Sequence, residues 1–203
     1  MEESVIGERS RLAVSIVKLA SRIFLSPFFK INVRGTDNIP EKGSFVLLPK
    51  HQRWEDIPLI AISIERPLYF VAKQELFESF FSKRFIASLG GLPINRLQPA
   101  RSRYTFANVI KKLGEGEGLV IFPEGTYFRN RMGPGYSGFI RMIHSNIDTI
   151  FIPVGIRYSN NNIKKTVSIV FGNRVNNTDF INSEELLAYV MNEIAGLSGI
   201  KDR

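Results

Sequence analysis

The sequence predicts an α/β fold, a single domain on a central, mostly parallel or mixed β-sheet covered by helices. Short runs rich in β-branched and aromatic residues alternate with stretches of helical periodicity, the pattern of strands joined by crossover helices. The 203 residues suffice for one substantial core, and an apolar fraction of 44% is ordinary for a globular chain. No internal repeat, low-complexity tract or linker interrupts the pattern. Residues 1–30 read as an N-terminal amphipathic helical segment able to associate with a membrane, and residues 31–203 as the domain proper.

The first element is a helix over residues 10–27. Leu12, Ile16, Ala20, Ile23 and Phe24 fall on one face, and Arg11, Ser15, Lys18, Arg22 and Ser26 on the other. The segment is too short and too charged to span a bilayer. Glu2, Glu3 and Glu8 precede it, and Lys18 and Arg22 interrupt it, which makes a poor signal peptide. Two placements fit the pattern. The helix, ending in Phe24, Phe28 and Phe29, lies in a membrane interface, or it packs on the domain and exposes its basic side. Strands are predicted at 44–49, 67–72, 118–122, 149–158 and 166–171, with 91–96 a further candidate. Helices are predicted at 57–64, 75–88, 100–113, 138–145 and 183–194, the last with Ser183 as its N-cap.

Charge and composition limit the chemistry. The net charge is +8, and residues 50–145 carry 14 Lys/Arg against 8 Asp/Glu, so most of the excess lies in the middle of the chain. A basic middle suits an anionic partner such as phosphate, nucleic acid or an acidic membrane surface. The aromatic residues sit in apolar runs rather than interleaved with Lys/Arg, which leaves nucleic-acid binding resting on charge alone. With no cysteine there is no disulfide or thiol chemistry. Two histidines without an HExxH pattern give no support to a metal site, and no metal or cofactor is expected.

Two segments concentrate the candidate chemistry. In Lys50-His51-Gln52-Arg53-Trp54-Glu55-Asp56, a histidine follows an apolar run and an aspartate precedes Ile57-Pro58. Residues five apart on a straight helix lie about 140° from each other, so the pair meets only at a strand-to-helix turn. Proline favours a helix's first turn, which places Asp56 at the N-cap with its carboxylate turned back toward His51. An imidazole held in this way takes a proton from a hydroxyl near neutral pH. Taken singly, the aspartate also reads as a plain cap and the histidine as a satisfied polar group. Further on, Phe122-Pro123-Glu124-Gly125-Thr126 ends another apolar strand in a turn. Glu124 is a candidate to hydrogen-bond a substrate hydroxyl, and Arg129, Arg131 and Arg141 are candidate phosphate contacts. Arg96, closing the run Gly90-Gly91-Leu92-Pro93-Ile94-Asn95-Arg96, is another. Gly114-Glu115-Gly116-Glu117-Gly118 precedes a strand and reads as a turn, and His144 reads as structural.

Between about residues 34 and 158 these segments resemble the glycerolipid acyltransferase family that includes bacterial 1-acylglycerol-3-phosphate acyltransferases. His51 and Asp56 match the family's H-x4-D block, Gly91 to Arg96 its second block, Phe122 to Thr126 its FPEGT block, and Ile152-Pro153-Val154 its apolar-proline block. The sequence departs from the family at Lys50, where many members carry Asn, at Tyr127 and Phe128, where Arg commonly follows FPEGT, and at Ser137, where Lys is frequent. The resemblance implies an enzyme that moves a fatty acyl group from acyl-CoA or acyl-carrier protein to the free hydroxyl of a lysophospholipid, 1-acyl-glycerol 3-phosphate in the first instance. His51 would be the base and Asp56 its orienter. Arg96 would bind phosphate, and Glu124, Gly125, Thr126 and Arg129 would shape the acceptor site. The implied setting is the cytoplasmic face of a membrane, peripheral or monotopic. Two alternatives stay open: an enzyme for another lyso-lipid, and a non-catalytic peripheral lipid-binding protein.

Overall fold

The computed structural model describes residues 8–95, 102–160 and 164–200. In chain order the regular elements are α1 (Arg11–Leu25), β1 (Phe29–Arg34), β2 (Phe45–Pro49), α2 (Asp56–Ser63), β3 (Leu68–Lys73), α3 (Phe80–Ser88), β4 (Gly91–Ile94), α4 (Arg103–Gly114), β5 (Gly118–Val120), α5 (Gly138–Asn146), β6 (Ile150–Asn160), β7 (Lys165–Phe171), β8 (Val175–Asn176) and α6 (Ser183–Ser198). The strands form one sheet in the order β1-β7-β6-β2-β5-β3-β4, with β8 beside β6. Pairing is parallel throughout except where β7 and β8 run antiparallel to β6. The predicted mixed α/β sheet is therefore what forms.

Its centre follows from the residues. β2 is apolar at every position and buried on both faces, as a strand inside a helix-covered parallel sheet must be. Phe45 and Leu47 enter one core with Leu59 and Ile60 of α2, while Val46 and Leu48 enter the other with Val109 of α4, Ile140 of α5 and Leu186 of α6. On β6, Ile152, Val154 and Ile156 repeat the alternation toward the α2 side. α6 lies close against β6 because Gly155 carries no side chain, and a Cβ there would come within 2.4 Å of the Leu197 backbone.

Several local expectations are corrected. The edge strand β1 was not anticipated, nor was the two-residue β8. The predicted 75–88 helix is a short 3-10 turn, Gln74–Phe77, followed by α3. The N-cap of α6 is Asn182, whose side chain accepts from the Glu185 N–H at 2.8 Å, not Ser183. Asp56 is the first residue of α2 and Glu55 holds the cap position, without a side-chain bond.

The placement of α1 departs from the alternative in which it packs on the domain and exposes its basic side. It lies on the domain with Lys18 and Arg22 reaching to the end of α2. Lys18 Nζ donates to the Ile64 and Glu65 carbonyls at 2.9 and 3.2 Å, and Arg22 donates to the Ile62 carbonyl. These carbonyls end α2, where a cation complements the helix dipole. Leu12, Ile16, Leu19, Ile23 and Phe24 face outward, each more than half exposed. Among the described residues no helix is long and apolar enough to cross a membrane.

Candidate active site

The parallel strands β2, β5, β3 and β4 end along one edge of the sheet, where an open α/β sheet places its ligand site. His51 follows β2, Phe122–Gly125 follow β5, and Lys73 closes β3. Lys73 is in register with Ile94, two residues before Arg96. Arg96 itself lies outside the described residues.

His51 and Asp56 meet at the turn between β2 and α2. Nδ1 of His51 is 3.1 Å from Asp56 Oδ2. That oxygen also accepts from the Gln52 and Arg53 N–H groups at 2.6 and 2.8 Å, and Oδ1 accepts from the Tyr158 hydroxyl at 2.5 Å. Asp56 is fully buried, and both its oxygens act as acceptors for these donors. Oδ2, already an acceptor for two backbone N–H groups, faces Nδ1 as an acceptor too, so Nδ1 carries the ring proton and Nε2 presents a lone pair. The Phe122 ring stacks on one face of the imidazole at 3.8 Å, and Tyr127 meets it edge-on at 4.4 Å. Burial, with Asp56 and Glu55 nearby, pushes the Tyr127 hydroxyl up, so it stays protonated.

Behind this pair sits a buried ion pair. Lys50 Nζ donates to both Glu124 carboxylate oxygens at 2.7 and 2.6 Å, and to the His51 and Phe128 carbonyls at 3.2 and 2.8 Å. Glu124 also accepts from the His51 N–H at 2.9 Å and the Gly133 N–H at 2.6 Å. Both side chains are 0% exposed. Burial pushes the Lys50 ammonium down, and Glu124 opposes that shift. Glu124, read from sequence as a ligand for a substrate hydroxyl, has instead spent its acceptors on the protein. It fixes the backbone of His51 and the loop after Thr126. Lys50 supplies the matching cation.

His51 opens onto an apolar cavity of about 540 Å³, which also borders Gly125, Thr126 and Tyr127. Gly125 takes a left-handed φ of 68°, which lets the chain turn at the cavity wall. Ile57, Pro58 and Ala61 of α2, Phe70 of β3 and Leu89 after α3 line the interior. Val14, Val17, Lys18 and Ser21 of α1 complete one wall. Burial, and then Arg22 and Arg9, push the Lys18 ammonium down. Lys73 borders the same cavity and is exposed. Neither lysine was singled out from sequence, although Lys73 ends a predicted strand beside the Arg96 block. Arg129 and Arg131 are exposed and do not border the cavity. Arg141 pairs with Glu184 at 2.9 Å on the outer surface. His144 bonds the Phe180 carbonyl at 3.2 Å, a structural contact.

Comparison with known proteins gives a consistent result. The profile of a family described as Acyltransferase matches residues 30–157. The chain is 31% identical over 108 residues to the 1-acyl-sn-glycerol-3-phosphate acyltransferase of Bacillus subtilis, covering 53% of each. It is 34% identical over 124 residues to the Pseudomonas aeruginosa protein of the same name, covering 60% of this chain and 45% of that one. The chain thus spans about half the length of the curated relatives it matches. The crystal structure of the 1-acyl-sn-glycerophosphate acyltransferase PlsC from Thermotoga maritima superposes with a TM-score of 0.75 at 24% identity, covering 94% of this chain and 80% of that one. This last likeness establishes the shared fold.

Proposed function

Because this chain belongs to the acyltransferase family, we propose that it transfers a fatty acyl group from a thioester donor to a lysophospholipid hydroxyl, with 1-acyl-glycerol 3-phosphate as acceptor and phosphatidic acid as product. The observation that carries the reading is the His51–Asp56 pair, with Nδ1 held by the carboxylate and the imidazole bordering an apolar cavity. In the proposed step Nε2 takes the hydroxyl proton as the oxygen attacks the thioester carbonyl. The new C–O bond forms, the C–S bond breaks, and the thiolate leaves with the proton from His51. Asp56 stabilises the imidazolium between those events. The cavity would hold the acyl chain, which suits its apolar walls. Lys73 at the rim and Arg96 two residues beyond β4 would meet the acceptor phosphate, and Gly125 and Thr126 would shape the approach.

The partners follow from that chemistry. The donor would be acyl-CoA or acyl-carrier protein, and the acceptor would come from a membrane. The outward apolar residues of α1, and the exposed Phe80, Phe81 and Phe85 of α3, would suit contact with lipid at the cytoplasmic face. A radiolabelled acyl transfer assay across a small panel of lyso-acceptors tests the proposal. Labelled phosphatidic acid is the expected product. Label going only to a different lyso-lipid would reassign the acceptor. Thiol release no higher than background with every acceptor would make the protein a lipid binder.

A further inference from the structure

We infer that Tyr158 is a positioning residue for the His51–Asp56 pair, holding the Asp56 carboxylate in the rotation that presents Oδ2 to the imidazole. This rests on the functional reading above and adds to it a residue from the far end of the chain. β6 is long: residues 150–154 pair with β2, and residues 154–160 run past the end of β2 alongside β7. The overshoot lies under the turn that carries His51 and Asp56. Two groups on it reach that turn. The Ile156 carbonyl accepts from Gln52 Nε2 at 2.6 Å, and the Tyr158 hydroxyl donates to Asp56 Oδ1 at 2.5 Å. Tyr158 continues the row Ile152, Val154, Ile156 on one face of β6, so its ring borders the α2-side core while its hydroxyl reaches the carboxylate.

The division of labour on Asp56 is uneven. Oδ2 serves the His51 ring and two backbone N–H groups, whereas among the described residues Tyr158 is the one donor to Oδ1. Without it a buried carboxylate oxygen is unsatisfied, and the group is free to rotate toward another donor. The ring is held independently. Arg53 lies over it with Cζ at 4.4 Å from the centroid, and Phe29 meets it edge-on at 6.3 Å. Burial and Asp56 push the Tyr158 hydroxyl far above its ordinary value, so it remains a donor throughout the working range.

Tyr158→Phe keeps the ring and removes the donor. The expected result is a fall in kcat of about tenfold, or ~1.4 kcal/mol of transition-state stabilisation, with both KM values within about twofold of wild type. In an Asp56→Asn background the same change should cost nothing further, because Tyr158 acts through that carboxylate. A second readout needs no turnover. The chain has two histidines, so the Nδ1–H proton resonance that survives in His144→Ala belongs to His51. It should move in Tyr158→Phe in the direction that Asp56→Asn moves it. Wild-type kcat with an unmoved resonance overturns the inference, as does a lowered melting temperature with kcat intact. Wild-type protein that transfers no acyl group would end the functional reading while leaving the resonance test valid.

Discussion

Replacing Glu124 by Gln tests whether the FPEGT glutamate is a clamp or a substrate ligand. The substitution leaves the Lys50 ammonium fully buried without its counter-charge, and it aims an amide N–H₂ at a donor. Breaking a buried pair from one side costs about 3–5 kcal/mol. An independent bound comes from letting Lys50 lose its proton: at pH 7, neutralising a lysine of ordinary value near 10.4 costs about 4.6 kcal/mol. The two figures agree, and for a chain of this length they correspond to a melting temperature lower by roughly 6–20 °C. The sign with pH follows. The folded variant prefers neutral Lys50 and the unfolded chain prefers the ammonium, so the unfolded state binds more protons. The deficit therefore shrinks as pH rises, by about 1.4 kcal/mol per unit at most between pH 7 and 9. Lys50→Met combined with Glu124→Gln removes the stranded charge and leaves Oε1 to accept from Gly133 or His51, so it should recover about 2 kcal/mol. Urea unfolding followed by circular dichroism reads all three. A single variant costing under about 1 kcal/mol would refute the clamp. So would an acceptor KM that rises tenfold or so while stability is unchanged, which would return Glu124 to the substrate.

Two further outcomes follow from the same geometry. Changing Leu12, Ile16 and Ile23 together to Ser should leave the fold and the inward Lys18 and Arg22 contacts intact and abolish flotation with anionic vesicles; unchanged flotation would remove α1 from the lipid contact. On the alkaline side, a tyrosine pushed up on folding contributes stability that is complete below its ordinary value near 10 and drains away above it. Wild-type unfolding free energy should therefore fall faster above that pH than that of Tyr158→Phe, by up to about 1.4 kcal/mol per unit, and parallel curves would contradict the raised Tyr158.

What could be read from sequence, and what could not, divides by distance along the chain. The buried strands were legible because β2 and β6 must be apolar on both faces to sit in a helix-covered sheet. The meeting of His51 and Asp56 was legible because residues five apart with a proline just beyond meet only at a turn. The alternating β1 was missed because it is short and lies at the sheet edge, where half its positions face solvent. Asn182 displaced Ser183 as cap because either residue satisfies the pattern and only the path of the backbone chooses. The Lys50–Glu124 pair is not legible in the sequence because its members lie 74 residues apart. Tyr158 was overlooked because it reaches Asp56 across 102 residues. For α1 the sequence shows the two faces and leaves open which of them meets the domain. That is decided by the unpaired carbonyls ending α2, which Lys18 and Arg22 fill, and by the cavity wall that Val14 and Val17 complete.

The central claim is that His51 is the base in a thioester-dependent transfer. Acceptor-dependent release of free thiol from acyl-CoA or acyl-carrier protein, measured for wild type and His51→Ala, tests it most directly. The account predicts release that requires the lyso-acceptor and falls by roughly 10²–10⁴ in the variant, with the melting curve still cooperative. A folded His51→Ala protein that releases thiol at the wild-type rate would contradict it.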